Sequence, residues 1–194
     1  CEIGLDHWPN IYCGIFTLQL LLLYFSSREV PIKQRVGYAL FLLFFFASFS
    51  VNVLNYIWHG FHYPNSLPAR QSFIFCFLVL YLSFQALERF PRFSPREIFL
   101  SFAAVVLFIL FAEKLVTEEH FHFWVFYLAF LLAALYGLIF RSYATGQFAR
   151  ELYFCMLLIL VTLESTLNLA YTSIPTTSRT EYTADNADIR LLKK

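Results

Sequence analysis

The stretch FHFWVFYLAFLLAALYGLIF, residues 121–140, decides what kind of protein this is. It contains no Asp, Glu, Lys or Arg, and its length falls within the roughly 17–25 residues that a membrane-crossing helix needs. It has no polar face that a helix of a soluble bundle would turn to water. Outward from it, the chain breaks at its charged residues into five more apolar runs, at 10–27, 36–51, 71–87, 98–112 and 152–171. The run at 98–112 is short and can borrow a turn at each end. The reading is an all-α integral membrane protein of about six transmembrane helices.

Composition agrees. Of 194 residues, 59% are hydrophobic, 21% aromatic and only 14% charged, and the mean hydropathy is +0.62, far from a water-soluble domain. A net charge of +1 spread over short loops excludes a polyanionic partner such as nucleic acid. Cys1, Cys13, Cys76 and Cys155 show no CxxC or Cys/His ligand spacing, so neither a disulfide nor a metal site is expected, and no cofactor is called for. No signal peptide is visible. Cys1 stands where an initiator methionine would, and the polar tail 176–194 reads as the start of an extracytoplasmic segment that breaks off. The chain is therefore expected to be a piece of a longer protein, with residues 1–175 as its transmembrane domain.

Orientation follows from the basic residues. Arg28, Lys33 and Arg35 lie between the first two runs, Arg89, Arg92 and Arg96 between the third and fourth, and Arg141 and Arg150 between the last two. Those loops are expected to face the cytoplasm, leaving both ends of the segment outside. Trp8, Tyr12, Tyr56, Trp58, Tyr63 and Trp124 fall near the expected outer ends, where aromatic belts form.

One outer loop departs from the lipid-like pattern: NYIWHGFHYPNSLPARQSF, residues 55–73. From Val36 to Ala69 there is no charged side chain, yet Asn52, Asn55, His59, His62 and Asn65 interrupt the second half. Gly60, Pro64 and Pro68 break any continuous helix there, and non-helical backbone at membrane depth needs protein or a wet cavity against it. A partly re-entrant outer loop, ordered by Trp58, Phe61 and Tyr63, is expected. His59 and His62 suit a hydrogen-bonding belt, substrate contact or proton transfer. A metal lacks a third ligand nearby. Arg70 offers a planar fork for a phosphate or, equally, a headgroup anchor.

Glu164 lies in the outer half of the last run, where an ionised group near the bilayer centre costs roughly 2.5–3.5 kcal/mol on insertion scales. Asn168, four residues on, shares its helical side. Either they lock helices together, or they wall the same cavity as Arg70 and His59; convergence of His59, His62, Arg70 and Glu164 on one outward-opening cavity is the expectation. Walker A, GxGxxG, GxSxG and HExxH patterns are all missing, which removes nucleotide-driven and serine-hydrolase readings.

Three stretches, PNIYCGIFTL (9–18), NVLNYIWHGFHYPNSLPARQSFIFCFLVL (52–80) and TTSRTEYTADN (176–186), make the chain resemble the central membrane region of the YfhO family of bacterial multi-spanning proteins. The motif WHGFHxPNxLPxR supplies Trp58, His59, Gly60, Phe61, His62, Pro64, Asn65, Leu67, Pro68 and Arg70. Ala69 and Gln71 flank the arginine where the family often has aromatic residues.

The resemblance implies a GT-C type glycosyltransferase of the bacterial cell membrane. Its donor would be a polyprenyl-phosphate sugar, its acceptor a cell-envelope glycopolymer such as teichoic acid, and its setting membrane lipid. In such enzymes the general base sits on a first outward loop, here upstream of the segment, so the 194-residue chain alone is expected to transfer no sugar. His59, His62, Asn65, Arg70, Glu164 and Asn168 are the candidate substrate-binding residues. A transporter or flippase is the alternative, and a scaffold for a partner enzyme a third; a transporter predicts polar or discontinuous helices reaching the midplane from both sides, whereas polarity here gathers at the outer end.

Overall fold

The computed structural model describes residues 11–62, 69, 71–116 and 122–172. All six apolar runs are helical. They form α1 (Ile15–Ser26), α2 (Ile32–Ser50), α4 (Ser72–Glu88), α5 (Pro95–Leu115), α6 (Trp124–Ala144) and α7 (Arg150–Thr172), with a short α3 (Asn52–Trp58) following α2. There is no strand among the described residues. α2, α5, α6 and α7 are long and apolar enough to cross a membrane, and α1 and α4 are shorter apolar helices. At 1.5 Å per residue, the 21 residues of α5 reach about 32 Å, a full hydrocarbon core. The 12 residues of α1 reach only about 18 Å.

The shortness of α1 has a local cause and a packing consequence. Gly14 holds φ +94°, so the chain enters the helix at Ile15 rather than at residue 10. The helix that follows is the centre of the bundle, packed on α4, α5 and α6, with Leu20, Leu23 and Tyr24 fully buried. α2 is peripheral: it meets α3 and α4 and leaves Leu40, Phe41, Leu43, Phe44 and Phe46 exposed. That is how a helix looks when lipid completes its surroundings.

α5 begins where its sequence says it should. Pro95 occupies the first turn, the Glu97 amide donates to Ser94 Oγ (3.3 Å) and the Ser94 amide donates to Glu97 Oε2 (2.9 Å), a reciprocal capping box. The Arg28 amide also donates to Glu97 Oε1 at 3.4 Å, and Arg92 pairs with Glu29 at 3.2 Å across an exposed surface. The loop α1–α2 and the loop α4–α5 thus meet at one end of the bundle, called here the basic end. Exposed pairs of this kind add little stability; the apolar clamp beside them adds more. Phe90, in the 3-10 turn Phe90–Arg92, stacks on Tyr153, and Tyr153 stacks on Tyr143 with ring centroids 4.2 Å apart.

The chain divides into two compact units, 1–158 and 159–194, with the boundary inside α7. In the second unit the described part is the remainder of α7, on which Glu164 is 4% exposed while Leu163 is half exposed.

Candidate functional site

At the end of the bundle opposite the basic loops, α2 stops at Val51, whose extended backbone (φ −91°, ψ 109°) turns the chain into α3. The loop expected from residue 55 therefore begins later than the sequence suggested. Asn52 to Trp58 are helical, and Trp58 packs this short helix back on α2, its ring 5.6 Å from that of Phe45.

The WHGF segment then closes α3 with a Schellman motif. The Phe61 amide donates to Tyr56 O (3.0 Å) and the Gly60 amide to Ile57 O (3.1 Å). Gly60 sits at φ +66°, and the Tyr56 and Phe61 rings lie 5.9 Å apart as the accompanying apolar contact. His59 is the capping residue and is half-buried, while His62 is exposed. The two histidines straddle a chain reversal with φ positive at both Gly60 and Phe61, so their three-residue spacing does not place them on one helical turn.

Gly60 and Gly37 provide a matched comparison. A Cβ at either meets nothing within 4 Å, but only Gly60 has a left-handed φ. Gly60→Ala is expected to lower stability by about 1 kcal/mol, and Gly37→Ala, inside α2, to raise it by about 0.5–1 kcal/mol. Thermal unfolding in detergent reads both; shifts of the same sign would contradict the assignment of Gly60 as the obligatory left-handed residue.

The two residues beside Arg70 are buried, Ala69 to 3% and Gln71 to 2%. Gln71 Nε2 donates to Ser48 O and Ser48 Oγ, both at 3.2 Å, and Ser48 Oγ donates to Phe45 O at 2.7 Å. The positions where the family often carries aromatic rings are here held by a small residue in a left-handed turn (Ala69, φ +58°) and by an amide that ties the start of α4 to the end of α2.

Beneath this tie lies an apolar cleft of about 550 Å³, lined by Leu18 and Leu21 of α1, Phe46 of α2, Phe75 and Val79 of α4 and Phe108 of α5. It falls within the rough 300–1,000 Å³ range of ligand pockets. Phe75 also contacts Phe49, with ring centroids 5.6 Å apart, so the rim of the cleft and the end of α2 are one packed surface.

Of the candidate residues, Asn65 and Arg70 lie outside the described residues, as do all of residues 63–68. His59 and His62 share the Schellman turn. Glu164, buried, and Asn168, half-buried, share one face of α7 in the second unit. Among the described residues no three His, Cys, Asp or Glu side chains gather as metal ligands. Sequence reasoning marked Gln71 only as a departure from the family pattern and overlooked its partner Ser48, 23 residues away, and Gln19, a lone amide inside the apolar run TLQLLLLYF.

The helices, their apolar exterior and the cleft at one end define a multi-spanning helical membrane protein. The chain belongs to the YfhO family: residues 3–193 match the family described as "Bacterial membrane protein YfhO". No curated protein and no solved structure matches it.

Proposed function

We propose that the chain forms part of a membrane glycosyltransferase that takes a polyprenyl-phosphate-linked sugar and decorates a cell-envelope polymer such as teichoic acid at the outer face. The observation that carries this reading is the apolar cleft of about 550 Å³ walled by Phe75 and Val79. It opens within two turns of the start of α4, immediately after Arg70. A prenyl chain needs an apolar slot, and its phosphate needs a cation at the slot's mouth. Arg70, next in sequence to the buried Ala69 and Gln71, is the cation this reading assigns to the phosphate. The same orientation sets the basic loops toward the cytoplasm, in keeping with the positive-inside rule.

The alternative as a transporter gains no support from the helices. Among the described residues the break in a long apolar helix is at Val51, at the end of α2 rather than at mid-span, whereas transporter sites favour helices interrupted near the midplane.

Binding of a fluorescent polyprenyl phosphate to the chain in nanodiscs tests the proposal. Val79→Trp, which fills the slot, and Arg70→Ala, which removes the cation, are each expected to weaken binding about tenfold, or 1.4 kcal/mol. If both variants bind like the unmodified chain, the cleft is ordinary lipid-facing surface and the reading falls.

A further inference from the structure

A second cleft lies between α2 and α4 at the basic end, the opposite end of both helices from the cleft above. It encloses about 640 Å³ between Gln34, Gly37 and Tyr38 of α2 and Tyr81, Gln85 and Arg89 of α4. Phe41, one turn deeper than Gly37, completes the wall. The lining is thus graded: amides and a guanidinium at the membrane boundary, then tyrosines, then a phenylalanine toward the hydrocarbon. It contains no acid. We propose that this cleft holds the headgroup phosphate of an anionic phospholipid from the leaflet beside the basic loops.

The donors are organised for it. Arg89 spends only Nη1 on its own helix, donating to Gln85 O at 2.9 Å and Gln85 Oε1 at 3.0 Å. Those bonds fix the guanidinium at the end of α4, and Nε and Nη2 keep their protons for another acceptor, the planar fork that suits a phosphate. Behind the wall, Arg35 is held by Nη1 donating to Phe25 O at 3.0 Å, while its buried Nε has no partner, so a second positive charge backs the site.

Tyr24 backs the tyrosines of the lining from inside the bundle. It is 0% exposed, its hydroxyl has no partner, and its ring packs edge-on against that of Tyr38, centroids 6.2 Å apart. Tyr38 in turn meets Tyr81 at 6.5 Å. The Tyr38 and Tyr81 hydroxyls bond each other, which leaves one O–H of the pair to donate to a phosphate oxygen in the cleft. Gly37 makes the space: a Cβ there would meet nothing within 4 Å, and Gly37 lines the cleft, so a larger side chain would occupy it.

Diffuse attraction of basic loops to an anionic surface is the competing account, and the two differ in which residues matter. The chain is reconstituted in phosphatidylcholine nanodiscs doped with phosphatidylglycerol, and the lipids retained on ejection are counted by native mass spectrometry. The unmodified chain is expected to retain phosphatidylglycerol in preference to phosphatidylcholine. Arg89→Gln and Gly37→Leu should each reduce that retention about fivefold, or about 1 kcal/mol. Gly37→Leu changes no charge and improves the helix propensity of α2, so its effect is not one of misfolding. Arg92→Gln, at an exposed arginine paired with Glu29, should leave retention unchanged. Retention unaltered in Gly37→Leu, or lost equally in Arg92→Gln and Arg89→Gln, overturns the proposal.

Discussion

Phe90→Ala is expected to destabilise the helical bundle by about 3 kcal/mol, in the range of large-to-small changes at buried aromatic positions. Phe90 is 2% exposed and lies in the turn that joins α4 to α5. Its ring centroid is 4.7 Å from Phe140, 5.5 Å from Tyr153, 5.8 Å from Tyr143 and 6.1 Å from Phe93. One side chain therefore joins the loop α4–α5 to the end of α6 and the first turn of α7. Within lipid, helix association rests on packing rather than on escape from water, and truncation at this hub forfeits dispersion contacts on several sides at once. Phe77→Ala is the control, since Phe77 on α4 is 69% exposed and faces the surroundings; it should shift stability by no more than about 0.5 kcal/mol. Reversible unfolding in mixed detergent–SDS micelles measures both. Equal shifts would mean that the aromatic cluster at the basic end is not a structural clamp.

The sequence made some of this plain and concealed the rest for identifiable reasons. Uninterrupted apolar runs such as 121–140 announce helices because a spanning segment has no other way to satisfy its backbone. The stop at Gly60 was legible too, since glycine is the residue that a left-handed cap demands. The break at Val51 was not, because neither Pro nor Gly marks it and the turn depends on Trp58 reaching back to Phe45. Arg89 read as one more positive charge of an inner loop; only the packing of α4 beside α2 places it on the wall of a cleft with Gly37 and Tyr38. Gln71 read as a departure from a family pattern, and its bonds to Ser48 became visible only when two helix ends were brought together. Pairings distant in sequence leave no trace in local periodicity, which is why the spans were easier to find than the site.

The sharpest test of how dry the bundle interior is comes from Gln19. It lies on α1, is 0% exposed, and neither Nε2 nor Oε1 has a hydrogen-bond partner. Its amide nitrogen is 3.7 Å from where a Cβ on Gly137 of α6 would stand, an ordinary contact, whereas the Phe102 ring beside it would be crowded at 3.1 Å. Nearby, Ser83 on α4 presents the opposite case, donating to Thr17 O of α1 at 2.9 Å and to Val79 O at 2.8 Å. The two polar residues should respond to removal with opposite signs. Ser83→Ala loses an interhelical hydrogen bond and is expected to cost about 0.6 kcal/mol. Gln19→Met keeps length and shape while deleting two buried, unpaired polar atoms, and is expected to stabilise by about 2 kcal/mol, since an unmet buried donor or acceptor carries its whole desolvation penalty. The same micelle unfolding experiment measures both. A loss of stability in Gln19→Met would show that the amide is satisfied after all, by solvent or a small polar ligand reaching the centre of the bundle, and that α1 lines a wet path rather than a sealed core.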